Sequence, residues 1–506
     1  MIGWLADVFR GFWGLWYWNI RKSAFRLRRN QGRCPCQAAS DSGRAGETRC
    51  DAALGWQKSA RFRHVCPLLK PDATGRFLCS VDTADVRPFW GRMLAWHAGV
   101  GGALGLAAAL LVFAGLRQVG YPVALTDVIW PPAWGEINRA RADFFYARAV
   151  DAFQSGDVNT TVSALSLAHG YDPDHLAAGM MLATIWQSAR PESADAIYLR
   201  LLQAHPAAAP EIARAWYRAL LYRGDFAEIE QLAGRALRFD AENWAVWLHA
   251  LLFANRHTGT GDVLETVLRE GTALPTEARA VLELEAQVRS AADDEARRRL
   301  LLATPPDGAS ASYETLYRVR RLLGLGAARD ALDLLYETPM PANNRDWLAL
   351  ELDALAQLGF ERPRRTTIGR LLPALPDPAA LNLIACHLIR HPERALFDQV
   401  LQRFRGTIDR PGINDYPSLV TLFCVAVADG DNPTIARLAE ALKASTASRF
   451  DTMDAVMRYF TTGAQGPIGS ILPILNPPDL DIVYATLDHF APIPTAEAAT
   501  KPVRTP

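Results

Sequence analysis

Residues 210–243 read PEIARAWYRALLYRGDFAEIEQLAGRALRFDAEN. One amphipathic helix lies on each side of a Gly224-Asp225 turn, and the pair closes on the polar segment Phe239-Asp240-Ala241-Glu242-Asn243. Glycine suits such a turn because a helix end often needs a left-handed residue. The same arrangement recurs in both directions along the chain. Turn signals fall at Gly156-Asp157, Arg190-Pro191, Gly224-Asp225 and Gly261-Asp262, then at Asp293-Asp294, Gly326, Gly359, His391-Pro392, Gly430-Asp431 and Gly463. Most intervals are roughly 32 to 39 residues, the spacing of a stacked helix pair. The expected fold is therefore all-α, a right-handed α-solenoid of about ten helix pairs over 137–490.

Residues 210–243 resemble a tetratricopeptide repeat (TPR). The family's mid-repeat glycine falls on Gly224 and its small second-helix residues on Ala233 and Ala236; alanine replaces the proline of the closing segment. In 142–175 the same register gives Ala149, Gly156, Ala168 and Asp172-Pro173, and Trp247 falls where the next repeat's first-helix tryptophan belongs. Residues 312–343 keep Gly326 and Ala331, and 416–449 keep Gly430-Asp431. Stretches near 276–310, 345–415 and 452–490 keep the helical alternation without the small residues. Small residues let paired helices cross closely. The resemblance implies protein–protein binding on a concave helical surface.

Upstream of the solenoid, Met93 to Leu116 read MLAWHAGVGGALGLAAALLVFAGL, bracketed by Arg92 and Arg117. About 20 apolar residues cross a bilayer core, so 93–116 is expected to be a transmembrane helix, followed by a linker over 117–136. Arg76, Arg87 and Arg92 precede the span, whereas Arg117 alone follows it closely. The positive-inside rule then places the N-terminus in the cytoplasm and the solenoid on the outer side of a single-pass protein, expected in a bacterial inner membrane. Trp130 and Trp134 suit the far interface. Gly101 and Gly105 form a small-xxx-small pair on which two copies of the span could associate as a homodimer.

The first 29 residues add a second lipid-seeking element. Trp4, Phe9, Phe12, Trp13, Trp16, Tyr17 and Trp18 make a broad aromatic face, and Arg21, Lys22, Arg26, Arg28 and Arg29 follow. Rings at headgroup depth with adjacent cations describe a helix lying in the membrane interface. A secretory signal peptide fits poorly because its cations should precede the apolar run.

Net charge is zero, yet residues 1–92 hold 16 Lys+Arg against 7 Asp+Glu, so the remainder carries the compensating acidity. Five of seven cysteines lie there too. The segment 30–92 contains Cys34, Cys36, Cys50, His64, Cys66 and Cys79, a thiolate and imidazole set suited to structural zinc in a domain too small to hold itself together. No C-x-x-C pair is present, and disulfides (were the topology reversed) or unligated thiols are the alternatives. Anionic lipid accounts for the local cations more simply than nucleic acid, so no nucleic-acid partner is expected. The Pro/Thr/Ala-rich tail, 491–506, is expected to be disordered.

No Walker A sequence, G-x-S-x-G elbow, H-E-x-x-H pair or G-x-G-x-x-G turn occurs. His387 and His391 stand one helical turn apart, a spacing that can bind metal, but Leu388 occupies the place of a zincin's general base. His391 also precedes Pro392, which explains it as a helix end. Cys386 and Cys424 sit in apolar helices as small core residues. The sequence thus points to a membrane-anchored scaffold binding partner proteins in cell-envelope organisation, and not to an enzyme. A transmembrane sensor coupling the cysteine region to the solenoid, or an accessory subunit of an envelope enzyme complex, are the other readings.

Overall fold

The repeat turns are built by glycines in the left-handed region: Gly156, Gly224, Gly261, Gly326, Gly359 and Gly430 all have φ between 66° and 78°. At Gly224 the local chemistry is explicit. Its N–H donates to Leu221 O and the Asp225 N–H donates to Leu220 O, so the last carbonyls of helix Ala209–Arg223 are satisfied as the chain reverses. Proline starts other helices, as in Pro191–Ala204 and Pro378–Arg390, where its missing N–H costs nothing. Aspartates cap others, with Asp157 accepting from the Thr160 N–H and Asp293 from the Ala296 N–H.

The structure is a computed structural model that describes residues 69–71, 73, 77–79, 90–270, 274–303, 311–338, 344–446, 451–461 and 467–491. The interface helix expected over 1–29, the proposed zinc ligands Cys34, Cys36, Cys50, His64 and Cys66, the turn at Gly463 and the tail from 492 lie outside the described residues. Of Cys79 only the backbone is described: it ends the strand Phe77–Cys79, which pairs antiparallel with Leu69–Pro71. Apart from that pair, the described elements are helical, with 24 α-helices from Trp90 to Phe490.

Two units divide the chain, Met1–Arg141 and Ala142–Pro506. In the first, the helix Trp90–Val119 runs for 30 residues, about 45 Å at 1.5 Å per residue. Within it Ala98–Val119 is long and apolar enough to cross a membrane, and that window is not buried. Leu104, Leu106, Leu111 and Val112 are all exposed. Val119 is followed by Gly120 at φ 102°, which stops the helix. Short helices at Leu125–Ile129 and Pro131–Ala133 occupy the stretch read as linker, and the next long helix begins at Trp134.

In the second unit, successive helices pack on their neighbours along the chain. The small residues Ala149, Ala168, Ala233, Ala236 and Ala331 are fully buried, letting the helices cross closely. Trp247 is fully buried as well, and its Nε1–H donates to Asp240 at 2.9 Å; Asn243 Nδ2 donates to the other Asp240 oxygen at 2.8 Å. The polar segment closing residues 210–243 is thereby tied into the next helix pair.

The end of the chain departs from simple stacking. Residues 467–490 turn back instead of adding another layer. Asn476 at φ 45° ends the Leu472–Leu475 turn, Pro477 and Pro478 redirect the backbone, and Asp479 caps the helix Leu480–Phe490. That helix packs on Pro378–Arg390, on Tyr416–Asp429 and on Ala209–Arg223, each the first helix of its pair. Tyr217 and Tyr484 hydroxyls hydrogen-bond, and Tyr222 Oη donates to Pro477 O at 2.7 Å. Gly469 lies so close to the Arg223 carbonyl that a Cβ there would overlap it. Every residue from Ile482 to Leu487 is buried. Val483, Tyr484 and Leu487 join the core of residues 213–355, whereas Ile482 and Ala485 join the core of residues 352–456. The returning helix therefore sutures two cores that the stacking order would leave to their neighbours alone.

Candidate functional site

Beside the returning helix the first helices of several pairs leave two adjoining cavities of about 350 and 290 Å³. Both are lined by His249, Phe253, Arg256, Arg320, Asp346, Asp481 and Tyr484. Tyr313 and Tyr317 add aromatic wall to the first, while Asp353, Cys386, Arg390 and His391 close the second. Rings and charges alternate. Tyr484 meets Phe253 and His249 edge-on, with centroids 4.6 and 4.7 Å away.

The charges are arranged in pairs. Asp488 lies 3.3 Å from His257 Nε2 and 4.0 Å from Arg256 Nη2; burial opposes its charge, but these partners prevail and hold its carboxyl below the usual range. Glu285 accepts from Tyr317 Oη at 2.5 Å and is ion-paired with Arg321, whose Nε lies 3.2 Å away. Arg320 Nη1 sits 2.7 Å from His249 Nδ1. Burial, then Arg320 and Arg256, push the His249 imidazole well below its ordinary pKa, so it stays neutral and can accept from the guanidinium. Burial, Asp479 and Asp346 raise Asp481. A cavity of this kind has the rings and fixed charges to hold an extended segment by several contacts at once.

At the far end, Asp353, His387 and His391 bring one ligand-capable atom each within 4.8 Å of one another. Asp353 comes from helix Arg345–Gln357, His387 from Pro378–Arg390, and His391 is the cap of that second helix. Arg390 Nη1 lies 2.8 Å from Asp353 Oδ2. Burial raises the Asp353 carboxyl, but Arg390 and the two imidazoles outweigh it and hold the group well below the usual carboxylate range. Cys386 and Cys424 are buried free thiols, and burial pushes both upward, Cys424 to about 12. Such thiols are poor nucleophiles.

The histidine pair was visible as an i, i+4 spacing, whereas Arg256, Arg320, Asp353, Asp481 and Tyr484 carry no motif. They meet only because helices from separate pairs and the chain end converge. In the first unit, Gly101 and Gly105 are exposed, with open space where a Cβ would stand. Trp130 and Trp134 are exposed too, and Trp134 Nε1 donates to Val128 O at 3.2 Å. No protein-family model matches the chain, and no curated protein matches it significantly.

Proposed function

We propose that this protein is a membrane-anchored, tetratricopeptide-type scaffold that binds a partner protein's segment in the groove lined by its first helices. The observation that carries the reading is the cavity pair, where Phe253, Tyr313, Tyr317 and Tyr484 alternate with Arg256, Arg320 and Asp346. Apolar rings give contact area, and fixed charges give register and specificity. The exposed apolar helix Ala98–Val119 supports anchoring in a membrane. With the cationic flank on the N-terminal side, the groove faces away from the cytoplasm, consistent with a role in envelope organisation.

The test is site-specific photo-crosslinking in intact cells from Leu316 and Ala349, which line the groove, against Arg235 on the opposite helix of its pair. The groove positions should yield a discrete adduct and Arg235 none. Equal adducts from all three positions, or none from the groove, would remove the reading. Reporter fusions after residues 30, 85 and 490 test the orientation independently.

A further inference from the structure

We propose that Asp353, His387 and His391 bind a divalent transition-metal ion of the zinc class, with an open coordination position toward the second cavity. Several buried polar atoms in this cluster are unmet. The His387 side chain is 2% exposed, and neither of its ring nitrogens has a hydrogen-bond partner. Asp353 Oδ1 is buried and likewise has none. Buried groups of this kind cost about 1–3 kcal/mol each when left without a partner, and folded proteins seldom tolerate several together.

The geometry fits an ion better than a direct bond. Asp353 Oδ1 lies 3.4 Å from His391 Nε2 and 3.8 Å from His387 Nδ1, the second too long for a hydrogen bond. In a tetrahedral site with metal–ligand bonds of about 2.0–2.1 Å, neighbouring ligand atoms stand about 3.3–3.4 Å apart. The Asp353–His391 separation matches a tetrahedral edge, the Asp353–His387 separation is a few tenths of an ångström longer, and all three ligand atoms stay within 4.8 Å of one another, a spread that side-chain rotation can close.

Arg390 has a definite place in this scheme. It bonds to Asp353 Oδ2, orienting the carboxylate while leaving Oδ1 for the ion. Its positive charge also opposes a second cation, so it orients the site at some expense of affinity. Two histidines and one carboxylate form a donor set used for zinc and for non-haem iron. Asp353 and His391 both face the second cavity, so the remaining coordination position opens there, where solvent or a carboxylate of a bound segment can enter. Nothing at Leu388 supplies a general base, and no hydrolytic step is inferred.

The test uses the full chain in detergent, with Cys34, Cys36, Cys50, Cys66 and Cys79 changed to Ser and His64 to Ala so that the N-terminal set is silent. Titration with Co²⁺ should give visible absorption saturating at one ion per chain, reversed by Zn²⁺. His391→Ala and Asp353→Asn should weaken Co²⁺ binding at least about tenfold. Zn²⁺ should raise the melting temperature of the parent but not of the variants. His391 lies at a partly exposed helix end, so His391→Ala should keep the parent's circular dichroism; should Asp353→Asn fail to fold, His391→Ala decides alone. No cobalt spectrum in the folded parent, or the same affinity in His391→Ala, would overturn the assignment.

Discussion

Gly469→Ala tests whether residues 467–490 are held in the groove by close backbone approach. A Cβ at this position would overlap the carbonyl oxygen of Arg223 and stand 3.0 Å from its Cα. Both atoms are backbone, so no rotamer change relieves the overlap. The chain has two responses. It can shift the two backbones apart locally while the segment stays docked, at about 1–3 kcal/mol for an overpacked site. Alternatively, it can lift the preceding turn away and expose Ile468, Ile471 and Leu472, each at most 6% exposed at present, at about 1.5–3 kcal/mol apiece. The first response is cheaper, so the expected loss is about 1–3 kcal/mol. At 1.4 kcal/mol per tenfold, the population with this segment undocked rises roughly 5- to 150-fold. Hydrogen exchange read by mass spectrometry should show the loss in peptides covering 467–475, with 226–239 less affected. Gly369→Ala is the control: its Cβ meets nothing within 4 Å in helix Glu361–Leu371, so it should stabilise by up to about 1 kcal/mol. Unchanged exchange over 467–475 in Gly469→Ala would show that this close approach does not hold the segment.

Trp247→Phe should destabilise the second unit by about 1–3 kcal/mol, because Asp240 loses a buried donor; urea denaturation checks it, and a change below 0.5 kcal/mol would be inconsistent with that role. The neutral His249 makes stability depend on pH. Its folded pKa lies below the ordinary imidazole value of about 6.5, so as pH falls below that value the unfolded chain takes up a proton that the folded one refuses. Thermal stability should therefore drop from pH 7 toward pH 5, and His249→Gln should flatten that part of the profile. Leu111→Arg, at an exposed apolar position, should cost about 2.5–3.5 kcal/mol of membrane insertion and lower the carbonate-resistant fraction. Equal retention would count against a membrane span.

The legible part of the fold was the local part. A glycine that ends a helix in the left-handed region does so through its own backbone, so Gly156, Gly224, Gly326 and Gly430 could be read one at a time. Ala149, Ala168, Ala233 and Ala236 were likewise readable, since a fixed register separates them from their turns. The return of 467–490 was not. LDIVYATLDHF has the composition of any buried repeat helix, and nothing in it points to Tyr217, whose hydroxyl Tyr484 meets. For the same reason His387 and His391 declared themselves by spacing, while Asp353 did not: it belongs to the preceding pair, and only packing brings it across.

The suture made by helix Leu480–Phe490 also sets a schedule. An open repeat array can consolidate pair by pair as it emerges from the ribosome, because each pair needs only its neighbour. Here the partners of Tyr217 and Tyr222 are Tyr484 and Pro477, which are synthesised more than 250 residues later. At about 5–20 residues per second, the face around Tyr217 waits on the order of ten seconds or more with its apolar surface uncovered. Such a nascent groove is a natural client for a chaperone, and truncations that spare every repeat but remove the last helix should be the forms most prone to aggregate.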